Sequence, residues 1–307
     1  MSAQQHTDPD LSRYSRQILF EGIGEEGQRR LSAASVAVVG CGALGTFHAS
    51  TLARAGVGRL RLIDRDFVET SNLQRQILYN EEDARQFLPK AAAAAHHLRE
   101  VNSQIEIDAV VADLNADNVH RHLAGIDLIL DGSDNFEARL LINDYAVSRK
   151  VPWIYGACVG SYGLMLTILP GQTPCLRCLF ENAPPPGSTP TCDTAGVLAS
   201  VVAVISGLQT AEALKLLCGR RQALSLDLRS VDVWEGRLQA ITMGAGARRP
   251  DCPACGRGEF EFLEGTTESN AATLCGRDSV QVLPRAGVSI DLEHLERTLA
   301  ALGRVER

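Results

Sequence analysis

Val36-Ala37-Val38-Val39-Gly40-Cys41-Gly42-Ala43-Leu44-Gly45 is a short β-branched run that breaks into a G-x-G-x-x-G turn and continues as the helix-forming stretch TFHASTLARAG. The glycines let the backbone turn tightly and approach an anion, which the unpaired N–H groups of the following helix can meet. Working outward, RLRLID (59–64), IEIDAVVA (105–112) and IDLILDG (126–132) repeat the strand signature. KAAAAAHHLREVN after Pro89, and FEARLLINDYAVSR, supply helices between them. Pro89 suits a first helical turn because its missing N–H would have had no partner there. Strands alternating with helices imply a largely parallel sheet covered on both faces, a doubly wound fold.

Asp64, 19 residues beyond Gly45 at the end of the second strand, is placed to accept hydrogen bonds from a ribose hydroxyl. Gly40, Gly42, Ala43, Gly45 and Asp64 thus predict a Rossmann-like nucleotide site, for which NAD and ATP are both open. DRDFVETSNLQRQILYN follows, with Asp66, Asn72, Gln74, Arg75 and Gln76 just past the strand's carboxyl end. Hydride transfer needs no such dense polar and cationic cluster. Phosphoryl and nucleotidyl transfer do, because catalysis there is mostly positioning and stabilisation of charge on phosphate oxygens. Lys90 adds a cation at a helix start. Asp134 and Asn135, in the DGSDN turn after another strand, can hold Mg2+ with the phosphates.

After Lys150 the chain becomes strand-rich (VPWIYGACV, GLMLTILP, then SLDLRSVDVWEGRLQAITM), with a helix from about Val197 to Cys218. APPPGSTP (183–190) packs four of the chain's 12 prolines into seven positions, which predicts an exposed, mobile loop. Beyond Glu259 a small α/β appendage is expected, with strands FEFLE and SVQVLP and an amphipathic helix DLEHLERTLAALG capped by Asp291 and ended by Gly303.

Two of the nine cysteines, Cys175 and Cys178, form one C-x-x-C, and Cys252 and Cys255 form a second. Two such knuckles predict a closed structural zinc site, a four-cysteine clasp between distant segments. Cys192, next to the proline-rich stretch and near a helix start, has two open roles, nucleophilic thiol or bystander. Cys41, Cys158, Cys218 and Cys275 read as small hydrophobes.

Hydrophobic residues at 45% and charged residues at 22% allow a sizeable core. No stretch reads as a signal or membrane segment, so a cytoplasmic protein with reduced thiols is expected. The net charge of −7 argues against a broad nucleic-acid-binding face.

RYSRQ, VVGCGALG, LIDRDFVETSNLQRQ, LDGSDN, PCLRC, TCDTAG and CPACG, in that order over roughly residues 11–257, resemble the ThiF/MoeB/HesA adenylyltransferases, relatives of the ubiquitin-activating enzymes. The resemblance implies an enzyme that uses ATP and Mg2+ to adenylate the C-terminal Gly-Gly carboxylate of a small ubiquitin-like (β-grasp) sulfur carrier, a step toward its thiocarboxylate. It implies that the glycine turn cradles ATP, Asp64 takes the ribose, Asn72, Arg75 and Lys90 contact the phosphates, and Asp134 serves the metal and adenylate. Arg16 matches an arginine that reaches across a dimer interface into the partner's ATP site, implying a homodimer. In some relatives a cysteine matching Cys192 links covalently to the carrier; in others it is dispensable.

The chemistry agrees with these residue types. Carboxylate attack on the α-phosphorus joins two anions, so cations are needed and no general base is, because the carboxylate is already ionised. His6, His96, His97, His120 and His122 accordingly read as solvated surface groups. The implied organisation is an ATP-binding adenylyltransferase domain, 1–257, with a helical arm (8–35), a nucleotide-binding half (36–150) and a carrier-binding half with the zinc site (151–257), followed by an appendage (258–307). Two departures stand out. Ala43 replaces a common glycine, which would strain a positive φ there. No rhodanese-like domain follows, so a separate sulfur donor is expected, either another protein or a sulfide source directly. An NAD-dependent oxidoreductase would leave Arg16, SNLQRQ and the zinc knuckles without a purpose, and the presence of Arg16, Arg75, Lys90 and Asp134 disfavours a silent carrier-binding scaffold.

Overall fold

A computed structural model of the protein describes residues 11–180, 192–243, 247–265, 271–274, 279–282 and 291–300. The proline-rich stretch 183–190, His6, Cys275 and Gly303 lie outside these residues. The chain divides into two compact units, Met1–Thr266 and Thr267–Arg307.

The first unit enters through helices α1 (Ser15–Ile18) and α2 (Gly24–Ala33). It then alternates β1 (Ser35–Val39), α3 (Ala43–Ala55), β2 (Arg59–Ile63), α4 (Glu81–Arg85), α5 (Lys90–Val101), β3 (Glu106–Val110), α6 (Val119–His122), β4 (Leu128–Asp131) and α7 (Phe136–Arg149). Next come β5 (Trp153–Val159), β6 (Tyr162–Ile168), α8 (Leu176–Leu179), α9 (Cys192–Ala195), α10 (Ala199–Leu217), β7 (Leu228–Asp232) and β8 (Arg237–Ile241). The strands form one sheet in the order β3-β2-β1-β4-β5-β6-β7-β8. β1 to β5 pair in parallel, and β6, β7 and β8 continue antiparallel. This is the expected doubly wound, mainly parallel α/β sheet with a strand-rich second half.

β1 shows why the fold closes around it. Its side chains alternate between faces, Val36 and Val38 joining one apolar core with Leu52 of α3 and Val201 of α10, Ala37 and Val39 joining the other with Leu140 of α7. A strand segment buried on both faces must be apolar, as Val36–Val39 of β1 is. The strand order reverses between β1 and β4, and the carboxyl ends of those strands form the crevice where such sheets bind ligands.

Among the described residues, α10 alone has the length and hydropathy of a membrane span. Val201, Val202, Ile205 and Ala213 are nevertheless fully buried, and it packs against α3, β5 and β6 as a core helix.

FEFLE is not a strand. Its residues turn, and Phe262 is buried in the core beside α7, so the first unit runs past residue 257. The second unit holds an antiparallel pair, β9 (Ala271–Leu274) and β10 (Ser279–Val282), and helix α11 (Leu292–Leu299). Asp291 caps α11 as expected, accepting from the backbone N–H groups of Glu293 and His294 at 3.0 Å each.

Candidate active site and metal centre

The glycine turn closes β1 at the crevice. Gly40 has φ +87°, and a Cβ there would lie 2.5 Å from the Gly132 carbonyl oxygen, so the β1 and β4 turns meet only because both are bare. A Cβ on Gly45 would lie 1.8 Å from the Gly40 oxygen, which makes glycine necessary for α3 to start so close to the strand. Gly42 caps α3 without a side-chain bond, leaving first-turn N–H groups for an anion. The strain foreseen at Ala43 does not arise: it starts α3 and is not among the residues with positive φ.

Asp64 is clamped from both sides, accepting from Cys41 N at 2.6 Å and Asp66 N at 2.7 Å. Burial pushes its carboxyl up to about 6, against the opposing pull of the Lys90 ammonium. Lys90, buried at the start of α5, lies 3.2 Å from Asp66 through Nζ. Its charge also acts on Asp64 and Asp134, and these carboxylates outweigh burial and raise its pKa. One ammonium is therefore shared by three predicted site residues. Tyr79, which the sequence did not single out, ties the cradle to α5 by donating to the carbonyls of Cys41 (2.8 Å) and Lys90 (3.2 Å).

Asn72 is buried and accepts from Glu69 N at 3.2 Å, shaping the turn Thr70–Asn72. Arg75 is half-buried and donates to Ser71 O at 2.9 Å. Gln76 is only 3% exposed, its Oε1 lacks a partner, and its Nε2 would sit 3.9 Å from a Cβ on Gly42. An orphaned acceptor beside the cradle marks a place where a ligand donor fits. Asp134 is exposed on the β4 turn, whereas Asn135 accepts from Ala138 N at 2.8 Å as the cap of α7. Arg16 is exposed on α1. Cys192 opens α9, whose backbone packs against β5; its side chain lies outside the described structure.

Two histidine expectations meet different outcomes. His96 is exposed, but His97 lies 2.8 Å from the buried carboxylate of Asp83 and is a structural contact rather than a solvated group.

Cys175, Cys178, Cys252 and Cys255 converge, with all four sulfurs within 4.8 Å of one another. The nearest separations are 3.6 Å (175–252), 3.4 Å (178–255) and 4.0 Å (175–178). A tetrahedron with metal–sulfur bonds near 2.3 Å has edges of about 3.8 Å, so the thiols fit a zinc ion and are too far apart for disulfides. Buried neighbours fix the knuckles: Asn143 Oδ1 accepts from Leu176 N at 2.8 Å, and Arg177 pairs with Glu261 at 3.0 Å over the Phe262 ring. Cys41 and Cys218 are buried and Cys158 half-buried, in keeping with packing roles.

Beneath this centre the buried Asp144 accepts from Phe262 N at 3.2 Å, and burial pushes its carboxyl up to about 7. Its folded pKa exceeds the unfolded value, so stability is lost as pH rises from the ordinary value of about 4 to the folded value of about 7, because the unfolded chain ionises first. Asp144→Asn keeps an acceptor and removes the titration. The variant is expected to exceed the parent in unfolding free energy already at pH 6, where the unfolded aspartate is ionised, and by about 1.4 kcal/mol more at pH 8.5. An equal difference at both pH values would contradict the assignment.

The ThiF family model matches residues 14–254. The chain is 45% identical over 291 residues to the sulfur carrier protein ThiS adenylyltransferase of Bacillus subtilis (strain 168), covering 95% of this chain and 85% of that protein. It is 39% identical over 254 residues to the SAMP-activating enzyme E1 of Haloferax volcanii, covering 83% and 92%. The crystal structure of E. coli MccB with ATP aligns at a TM-score of 0.69 and 26% identity over 80% of this chain and 75% of that one. The family match takes in both the nucleotide crevice and the four-thiol centre, and the chain belongs to the ThiF family.

Proposed function

We propose that this protein is an ATP-dependent adenylyltransferase that activates the C-terminal Gly-Gly carboxylate of a small ubiquitin-like sulfur carrier and releases pyrophosphate. The observation that carries this reading is the glycine cradle meeting Asp64, Lys90 and Asp134 at the reversal point of the sheet, in a chain close to sulfur-carrier adenylyltransferases.

An oxygen of the carrier carboxylate attacks the α-phosphorus of ATP, the bond to the bridging oxygen breaks, and its electron pair leaves with pyrophosphate. First-turn N–H groups of α3 and Asp64 hold the nucleotide. Lys90, Arg75 and the partner protomer's copy of Arg16 offset the repulsion between the anions, within a homodimer. Asp134 provides one exposed carboxylate, which suits Mg2+, an ion that keeps several waters and shares the phosphate oxygens. Bound there, Mg2+ would supply charge neutralisation. The four thiolates hold a structural zinc in the reducing cytoplasm. The carrier meets the half comprising residues 151–257, whose last strand β8, with no further strand beside it among the described residues, carries Leu238, 74% exposed, and follows Trp234, 78% exposed. A separate donor supplies the sulfur.

The direct test is exchange of labelled pyrophosphate into ATP, dependent on a carrier ending in Gly-Gly. Exchange with at least one such carrier is expected, and its absence with every one tested would sink the reading. Cys192→Ala is expected to leave the exchange rate within about twofold, since no thiol takes part in attack on the α-phosphorus, and to lower at most the later sulfur transfer. Loss of exchange itself would place the thiol in the first step.

A further inference from the structure

We propose that Arg139 is a positioning residue for adenylation, setting the turn at 132–135, and with it Asp134, against strand β5. The role given to Asp134 rests on the adenylation reading; the ordering of the turn rests on geometry alone.

Arg139 lies one turn into α7, with its side chain 8% exposed and that of its partner Asp131 wholly buried. Its Nε is 3.2 Å from Asp131 Oδ2, and its Nη2 donates to the carbonyls of Ser133 (2.7 Å) and Gly156 (3.3 Å). Asp131 accepts from the Ser133 N–H at 2.9 Å and hydroxyl at 2.6 Å. The rings of Phe136 and Tyr155 cover the guanidinium at 5.6 and 5.4 Å. One cation thus joins the end of β4, the turn after it and the neighbouring strand.

The turn needs such a clamp. Gly132 brings no side chain of its own to pack, and a Cβ there would lie 2.7 Å from the Gly40 oxygen, so the contact with the cradle forbids one. A displacement near 1 Å at a reacting centre costs about a hundredfold in rate. Only a planar fork with several donors meets these acceptors together, whereas a lysine ammonium is a point donor. The charge of Arg139 also acts on Asp134 itself.

The test compares Arg139→Lys with the parent in the full zinc-loaded chain, by pyrophosphate exchange with a Gly-Gly carrier and by amide hydrogen exchange of the turn. The expected result is a kcat about a hundredfold lower with KM for ATP within threefold, and at least tenfold faster exchange at the Ser133 amide, while β1 amides keep their protection. Unchanged protection of the turn overturns the proposal. So does a loosened turn with unchanged kcat, or a loss shared between kcat and KM. Ser133→Ala removes one hydroxyl from the same network and decides the matter if the lysine variant does not fold: about threefold effects on kcat and turn protection are expected, and no effect on either overturns it. Should the parent show no exchange with any carrier, the adenylation reading fails, and the hydrogen-exchange arm still judges the clamp.

Discussion

Asp134→Ala is expected to lower carrier-dependent pyrophosphate exchange by about a thousandfold or more, which corresponds to about 4 kcal/mol of transition-state stabilisation. The carboxylate is exposed at the end of β4, and the backbone beneath it is held by other groups, Asp131 and Arg139 on one side and the Asn135 cap on the other. Truncation should therefore leave the fold intact, with thermal unfolding within a degree or two of the parent, as for other exposed substitutions. What is removed is the carboxylate whose charge acts on Lys90 and which is proposed to hold Mg2+ with the phosphates. Asp134→Asn separates charge from shape: it should be nearly as inactive, because an amide is a poor hard-cation ligand beside a carboxylate. Exchange within tenfold of the parent in both variants would move the metal to another group.

The second large effect is on stability. The parent is expected to carry one zinc per chain by elemental analysis, and Cys252→Ser to carry none and to unfold at least 10 °C lower. Structural zinc binding is worth on the order of 10–16 kcal/mol, comparable with the stability of a whole domain. The reason is local. Cys252 and Cys175 are buried at the join between segments 77 positions apart, and Phe262 and Arg177 are packed by the same clasp. Chelation of the parent should reproduce the shift, and restored zinc should reverse it only when all four thiols are present. A verified metal-free parent with unchanged unfolding would contradict the clasp.

The residues involved show what each level of description decides. Gly40, Gly45 and the β1 run could be read from the chain because turn geometry, burial on both faces and the 3.6- and 2-residue periodicities are short-range properties. The two C-x-x-C pairs were legible for the same reason, since ligand spacing within a knuckle is local. The misread segments carried local signals that tertiary packing overrode. FEFLE alternates as a strand does, yet Phe262 is drawn into the core beside α7 and Arg177. His97 has the look of a surface residue on an alanine-rich helix, and Asp83 from another helix claims it.

By itself, then, the sequence determined the doubly wound fold, the glycine cradle and the two C-x-x-C pairs of the four-thiol cluster, because each is written in neighbouring residues. Only the tertiary structure decided that Lys90 is shared among Asp64, Asp66 and Asp134, that Tyr79 staples the cradle, and that Arg139 clamps the turn carrying Asp134. These depend on which strands become neighbours. Gly156 meets Arg139 only because β5 lies beside β4, and buried polar groups take the partners that the closed sheet brings within reach.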